Sequence, residues 1–324
     1  MAHRAVGRDT GRLWEKRPMN TTAIGFASNK VRDVERYYHA MLDQQYGERE
    51  VAAMLRCLFE AFLGWDNTQY LLHRSGTVNQ SVLLKLHHAA EELRRWRPVQ
   101  YIVGYSYFAG CRIQVDERVL VPRPETEEMV QGIVDGSLTG SALCATGKPP
   151  RIIDLCTGSG CIAVALAKAC ADATVVGVDL SNDCLAVARA NAANNGVDVL
   201  FERHDVLRHE ELAASMVGGD FDLIVSNPPY VCDSERTAMS RNVTDHEPAA
   251  ALFVPDADPL CFYRAVAWFG LRRLSPDGFI VVEINENLPQ PTLELFKEYG
   301  YTASLHRDFR DKPRFIVARH GSAF

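Results

Sequence analysis

No Cys-x-x-Cys pair occurs in this 324-residue chain, although it holds nine cysteines. Their number is odd and their spacing follows neither a zinc nor a disulfide framework, so the expectation is reduced, mostly buried thiols. No apolar run approaches the roughly 20 residues a membrane-spanning helix needs, so no membrane association is expected. The first residues lack the continuous apolar core of a secretory signal. Serine is absent from residues 1–18, and Asp9 and Glu15 interrupt the basic run of Arg4, Arg8, Arg12, Lys16 and Arg17, which argues against an organellar transit peptide. That stretch is expected to be a disordered lead, with Met19 a candidate natural start. The ten histidines are dispersed and no cluster of metal ligands is visible, so no metal is expected. Internal repeats and low-complexity tracts are also missing. The expected compartment is the cytoplasm, and the expected state a monomer.

What is present points to two domains. Apolar residues make up 47% of the chain and charged residues 23%, enough to bury a core and too few charges for bulk disorder. Basic residues exceed acidic ones up to about residue 115 and the reverse holds beyond, for a net charge of −6. Residues 19–96 read as a small helical bundle. Asn29 is placed to cap a helix carrying Val31, Val34, Tyr37, Tyr38 and Met41; Gly47 breaks it. A second helix carries Val51, Met54, Leu55, Leu58 and Phe62 to Gly64, and a third starts near Asn79. Residues 97–123 are β-prone, from Tyr101-Ile102-Val103 to Val119-Leu120-Val121, and read as a hairpin linker. From residue 124 to 324, and clearly after Pro149, strands and helices alternate. Strands are expected at 151–155, 174–179, 199–203, 221–226, 278–284, 301–305 and 314–318. This pattern predicts an α/β fold with a seven-stranded, mainly parallel sheet, Rossmann-like in its winding.

Two loops carry candidate chemistry. The first strand runs into Cys156-Thr157-Gly158-Ser159-Gly160 and then a helix, the place where doubly wound folds bind ligands. Gly158 and Gly160 permit close backbone approach or positive φ. The loop has neither the third glycine of a dinucleotide site nor the lysine of a P-loop, so a ligand without phosphates fits better. Asp179 closes the second strand about 20 residues past the loop, the usual reach of a carboxylate that accepts from a ribose diol. Asp205, followed by Val206, is placed to meet an adenine amino group. Each acid could equally serve as an N-cap or a loop residue. Cys156 and Cys161 flank the loop and read as packing residues.

The second loop is Asn227-Pro228-Pro229-Tyr230, directly after the apolar strand 221–226. An amide nitrogen is a poor nucleophile because its lone pair is delocalised. To attack a sulfonium methyl group it needs acceptors that hold its N–H bonds and turn the lone pair toward the methyl. The Asn227 side-chain oxygen and the Pro228 carbonyl supply two acceptors. The prolines remove N–H donors and fix φ, and Tyr230 offers a flat wall for a planar group.

These residues resemble the release-factor glutamine methyltransferases, the PrmC/HemK family. Arg97-Pro98-Val99-Gln100-Tyr101-Ile102-Val103-Gly104 is similar to that family's linker signature. Val119-Leu120-Val121-Pro122-Arg123-Pro124-Glu125-Thr126-Glu127 is similar to the opening of its catalytic domain, and Glu247-Pro248-Ala249-Ala250-Ala251-Leu252 also matches. The resemblance implies a class I methyltransferase domain that uses S-adenosylmethionine. The cofactor would be held by Cys156 to Gly160, Asp179, Asp205, Val206 and Asn227. The substrate would be the glutamine of the Gly-Gly-Gln tripeptide of class 1 peptide chain release factors, held by Asn227 to Tyr230. Glu125 and Thr126 would line the methionine end of the cofactor, and the helical domain would grip the release factor. Three departures stand out: Cys156 replaces a glycine, Val206 replaces a frequent aromatic, and the segments 253–258 and 285–287 replace glycine-bearing loops. A nucleic-acid adenine N6-methyltransferase could use the same four residues. It would need a basic, aromatic-rich recognition segment, and none is visible in the acidic catalytic half, so no direct nucleic-acid contact is expected. A non-enzymatic adaptor on the same fold would have no need of an intact Asn227 and Asp179.

Overall fold

The computed structural model describes residues 25–144, 147–216 and 218–321. The basic lead expected over residues 1–18 lies outside them. The chain forms two compact units that part between Arg95 and Trp96.

The first unit is helical: α1 (Val31–Tyr46), α2 (Glu48–Leu63), α3 (Asn67–Leu72) and α4 (Gln80–Arg94). Val31, Val34, Tyr38, Val51, Leu55, Leu58 and Leu86 are fully or almost fully buried, the face expected from their spacing of three and four, whereas Tyr37, Met41 and Phe62 are half-buried and Leu42 and Phe59 take the innermost positions instead. Gly47 (φ +85°) ends α1 and begins α2, and Gly64 ends α2 in the left-handed region. Asn79 caps α4 by accepting from the Val82 N–H. Asn29 does not cap α1 as expected. Lys30 holds that position without a side-chain cap, and the Asn29 amide donates instead to the Val78 carbonyl at 2.9 Å. The tie to Val78 lies 49 residues away, so local sequence gave no sign of it. The short helix α3, opened by an Asp66–Gln69 capping box, is absent from the sequence reading.

The second unit opens with α5 (Val99–Val103), then β1 (Tyr105–Phe108) and β2 (Cys111–Gln114), which pair as an antiparallel hairpin. Tyr101-Ile102-Val103 is therefore helical, not a strand. Gly104 closes the turn in the left-handed region. The Tyr101 hydroxyl donates to the Val119 carbonyl at 2.6 Å, so a tertiary contact overrides β propensity. Helix α6 (Pro124–Asp135) follows, with proline at its first turn.

The main sheet has seven strands: β3 (Arg151–Leu155), β4 (Thr174–Asp179), β5 (Leu200–Arg203), β6 (Phe221–Ser226), β9 (Leu274–Glu283), β10 (Tyr301–Arg307) and β11 (Pro313–His320). Their spatial order is β10-β11-β9-β6-β3-β4-β5. The pairs from β9 through β5 are parallel, and β11 runs antiparallel to both of its neighbours. Helices α7 (Cys161–Ala169), α8 (Asn182–Asn195), α9 (His209–Ser215), α11 (Cys261–Arg273) and α12 (Pro289–Glu298) accompany these strands. Two buried clusters make the core, one around Ile152, Val164 and Val225 and the other around Ile153, Ile224 and Phe269. Alternate residues of β3 and β6 thus enter different clusters, as expected for strands covered on both faces. Between β6 and β9 lie a two-stranded parallel sheet of β7 (Val231–Cys232) and β8 (Phe253–Val254) and the one-turn helix α10 (Arg241–Thr244).

The cysteine expectation needs correction. Cys144 and Cys170 form a disulfide with Cα atoms 6.1 Å apart, and Cys57 is exposed; the other six are free and at least partly buried. The pairing joins the end of α7 to the segment before β3, elements 26 residues apart whose contact only the fold creates. Among the described residues no helix is long and apolar enough to cross a membrane.

Candidate active site

The chain winds outward from β3 to β4 and β5, then returns to place β6 on the other side of β3. The crevice beyond the carboxyl ends of β3 and β6 is therefore the topological switch point, where open α/β sheets bind ligands. Leu155 and Ser226, the last residues of these strands, are in register, and the Ser226 hydroxyl donates to the Leu155 carbonyl at 2.6 Å. The glycine loop and Asn227-Pro228-Pro229-Tyr230 thus leave the sheet side by side.

The glycine loop is held from below. Thr157 donates through its hydroxyl to Asp154 at 2.5 Å, and its N–H reaches the Val178 carbonyl. Gly158 (φ +54°) donates its N–H to Asp179 at 2.9 Å. A Cβ added at Gly158 would meet nothing within 4 Å, so the loop opens there onto free space. At Gly160 (φ +77°) a Cβ would lie 2.9 Å from that of Ala188, so only glycine lets α7 start this close to α8. Cys156 takes φ +63°, the left-handed region in which a Cβ is strained. Its thiol is pushed well up by burial and by Asp179 and Asp154, so it stays protonated and unreactive at neutral pH.

Asp179 accepts from Gly158 and Ser181 N–H groups, one on each oxygen, and each oxygen keeps capacity for a further donor. Burial raises its pKa, against the pull of those N–H groups. Asp154 is fully buried and its pKa is pushed up to about 7 by desolvation, with the Thr157 and Ala163 donors opposing. Its Oδ1 is buried without a hydrogen-bond partner. A backbone cradle with open space at Gly158, two acids and no lysine fits a cationic adenosyl compound such as S-adenosylmethionine better than a nucleotide polyphosphate.

In the second loop, Pro228 and Pro229 are buried while Asn227 and Tyr230 are half-buried. The Asn227 side-chain N–H group donates to Thr126 Oγ1 at 3.0 Å, which leaves its Oδ1 to accept from a substrate. Thr126 donates to Glu283 at 2.6 Å, and the Tyr230 hydroxyl donates to the same carboxylate at 2.9 Å. Burial raises the Glu283 pKa; the Thr126 and Tyr230 donors and Arg314 oppose it. The Tyr230 and Val231 N–H groups both reach the Leu252 carbonyl. Asn285 donates to the Tyr230 carbonyl at 3.0 Å, so its side chain pins the far end of the loop.

A cavity of about 240 Å³ adjoins Asn227, walled by Leu120, Pro228, Tyr230, Met239, Val243 and Leu252, with Arg123 on its lining. Arg123 pairs with the buried Glu247 at 2.6 Å, and Glu247 also accepts from the Val121 N–H at 3.1 Å. One carboxylate therefore ties together the two stretches, 119–127 and 247–252, that frame the cavity. A hollow of similar size lies before the N-terminal ends of β3 and β4, around Cys144, Pro150 and Cys170, on the wrong edge of the sheet for this chemistry.

The expected site residues are distributed along this edge as follows. Cys156 to Gly160, Asp179 and Asn227 lie at the carboxyl ends of three adjacent strands, β3, β4 and β6. Asp205 follows β5, one strand further out, and one of its oxygens accepts from the Leu207 N–H, a turn-capping bond. Val206 is buried with Leu155, Val178 and Leu212, so its side chain is given to packing. Glu125 pairs with Arg310 at 3.4 Å, and the hydroxyl of Thr126 is committed to Asn227 and Glu283. Sequence reading missed Asp154, Glu283 and Asn191. The buried Asn191 donates to the carbonyls of Ser159 and Gln114, fastening the glycine loop to β2. The strand-end position of Asp154, next to a glycine loop, was the one available signal.

The seven-stranded sheet and the loop pair at its switch point define a Rossmann-like methyltransferase, and the family comparisons agree. Residues 140–247 match the methyltransferase small domain, and residues 34–104 match the PrmC N-terminal domain. The chain is 37% identical over 272 residues to the release factor glutamine methyltransferase of Flavobacterium psychrophilum, spanning 84% of this chain and 92% of the relative. It is 36% identical to that of Bacteroides thetaiotaomicron, over 87% of this chain and 97% of the relative. The Lactococcus lactis protein of the same name is 34% identical over 84% and 97%. The chain belongs to the release factor glutamine methyltransferase family.

Proposed function

We propose that this chain transfers a methyl group from S-adenosylmethionine to the side-chain amide nitrogen of the glutamine in the Gly-Gly-Gln tripeptide of class 1 peptide chain release factors. When bound, S-adenosylmethionine supplies an electrophilic sulfonium methyl. The glycine loop of Cys156 to Gly160 and the carboxylate of Asp179 hold its nucleoside, with Asp205 and Val206 at the outer edge.

Asn227 Oδ1 and the Pro228 carbonyl accept the two N–H bonds of the glutamine amide. Held there, the nitrogen cannot rotate, and its lone pair faces the donor. Pro228 and Pro229 keep the loop rigid, and Tyr230 walls the planar amide. The product nitrogen is positively charged and loses a proton readily, so no strong base is needed. Alignment and exclusion of water then carry most of the rate. The first, helical unit (residues 19–96 by the sequence boundaries) grips the release factor away from the reacting group. The remainder, after the 97–123 linker, carries out the transfer. The enzyme acts as a cytoplasmic monomer, without contacting nucleic acid.

The observation that carries this reading is the placement of the Asn227 oxygen, left free by its bond to Thr126, on the loop beside the glycine cradle. The test is mass spectrometry of a release factor incubated with the protein and S-adenosylmethionine. One methyl group on the Gly-Gly-Gln glutamine is expected. Label from the same cofactor appearing on duplex DNA and not on the release factor would replace this reading with adenine methylation.

A further inference from the structure

The chemistry assigned to Asn227 works in only one of the two orientations of its side-chain amide. Rotated by half a turn, the group would present N–H bonds to a substrate nitrogen that itself carries N–H bonds. The loop's own residues do not select the orientation, because neither proline has an N–H to offer. The selection comes from elsewhere.

We infer that Glu283 is a positioning residue that sets the orientation of the Asn227 amide through the hydroxyl of Thr126. Thr126 has one hydroxyl proton. A carboxylate only accepts, so at 2.6 Å from Glu283 that proton points to the carboxylate. The Thr126 oxygen can then only accept along its other contact, 3.0 Å from the Asn227 side chain. Asn227 must offer its N–H there, and its oxygen faces the crevice. The second Glu283 oxygen accepts from Tyr230 at 2.9 Å, so the same carboxylate holds both ends of the Asn-Pro-Pro-Tyr loop. Glu283 and Thr126 are 1% and 2% exposed, so water cannot substitute for either partner. Neither residue touches the reacting atoms. The relay joins the end of β9 to α6 and then to the loop after β6, and no local motif announces it.

This inference rests on the proposed methyl transfer. The decisive variant is Glu283→Gln, which keeps shape and volume but can donate. Its amide can give an N–H to Thr126, whose proton then turns to Asn227 and reverses the amide. Thr126→Val removes the relay without a change of volume, and Thr126→Ser restores a hydroxyl. Single-turnover rates on a release factor, KM for that substrate, cofactor affinity by calorimetry and thermal midpoints are measured together. For Glu283→Gln and Thr126→Val the rate constant should fall roughly 10- to 100-fold, the scale of lost alignment, while cofactor affinity stays within about threefold. Thr126→Ser should recover most of the rate lost in Thr126→Val. If Glu283→Gln does not fold, the valine and serine pair decides. Folded variants that keep the rate within about twofold, or a serine that rescues nothing, would overturn the relay. A parent protein that methylates no release factor would overturn the proposed function, and the relay with it.

Discussion

Removing the Glu247 carboxylate should loosen the frame of the substrate cavity at a measurable cost in stability. The Glu247 side chain is 1% exposed, and its ion-pair partner Arg123 is 30% exposed. Breaking a buried pair costs about 3–5 kcal/mol when the remaining charge is trapped. Here Arg123 can turn toward water, which removes much of that penalty. The Val121 N–H cannot; its residue is 2% exposed and loses its acceptor, a loss of about 1–3 kcal/mol. The sum for Glu247→Ala is then about 2–4 kcal/mol. For a unit of this size the thermal midpoint should drop by roughly 5–15 °C. Glu247→Gln keeps one acceptor for two donors, since its amide nitrogen cannot accept; with the oxygen turned to the Val121 N–H it loses the Arg123 contact and should cost about 1–3 kcal/mol. Because the tied stretches frame the cavity beside Asn227, KM for the release factor should rise in the alanine variant while cofactor affinity holds. Calorimetric unfolding and steady-state kinetics on both variants provide the check. A Glu247→Ala protein with the parent's thermal midpoint and KM would show that the carboxylate ties nothing that matters.

Other perturbations give equally definite outcomes. Asp154 titrates at about 7 in the folded chain against about 4 when unfolded, so the folded state binds the extra proton between those values. Its contribution is present at low pH and lost as pH rises through about 7. Ligand-free Asp154→Asn should therefore gain on the parent as pH rises from about 4 to about 7 and level off above, and parallel melting profiles over that range would refute this. A cationic cofactor favours the carboxylate, so cofactor affinity measured by calorimetry should tighten over the same range in the parent and not in Asp154→Asn. Cys156→Gly and Cys156→Ala both lose the thiol but differ in the strain of a Cβ at φ +63°. The glycine variant should be the more stable by about 1 kcal/mol in denaturant titration. Asn285→Gly frees the Tyr230 carbonyl and should lower the methylation rate with little change in cofactor binding.

Much of this architecture was legible because its signals are local. The strands 151–155, 174–179 and 221–226 are short apolar runs bounded by turn residues, and each was read with the bounds the structure gives. Their alternation with helices is enough to imply a parallel sheet whose carboxyl edge carries both loops. What escaped was set by distance or by competition. Val99–Val103 is rich in β-prone residues, yet a left-handed Gly104 and the hydroxyl bond of Tyr101 fold it as a helical turn. Asn29 has the composition of a cap but finds a better partner at Val78. Thr126, Asn227 and Glu283 are separated by 101 and 157 positions along the contacts that join them. No spacing rule connects a helix start, a loop and a strand end across such gaps, and only the sheet order brings them together.

Methyl transfer as proposed turns on one oxygen atom, and Asn227→Ala removes it. In single-turnover methyl transfer to a release factor at saturating S-adenosylmethionine, loss of one preorganised hydrogen-bonding group at the reacting nitrogen should slow the chemical step roughly 10²- to 10³-fold. A folded Asn227→Ala protein that methylates the glutamine within about twofold of the parent rate would show that the Asn227 oxygen does not hold the reacting nitrogen.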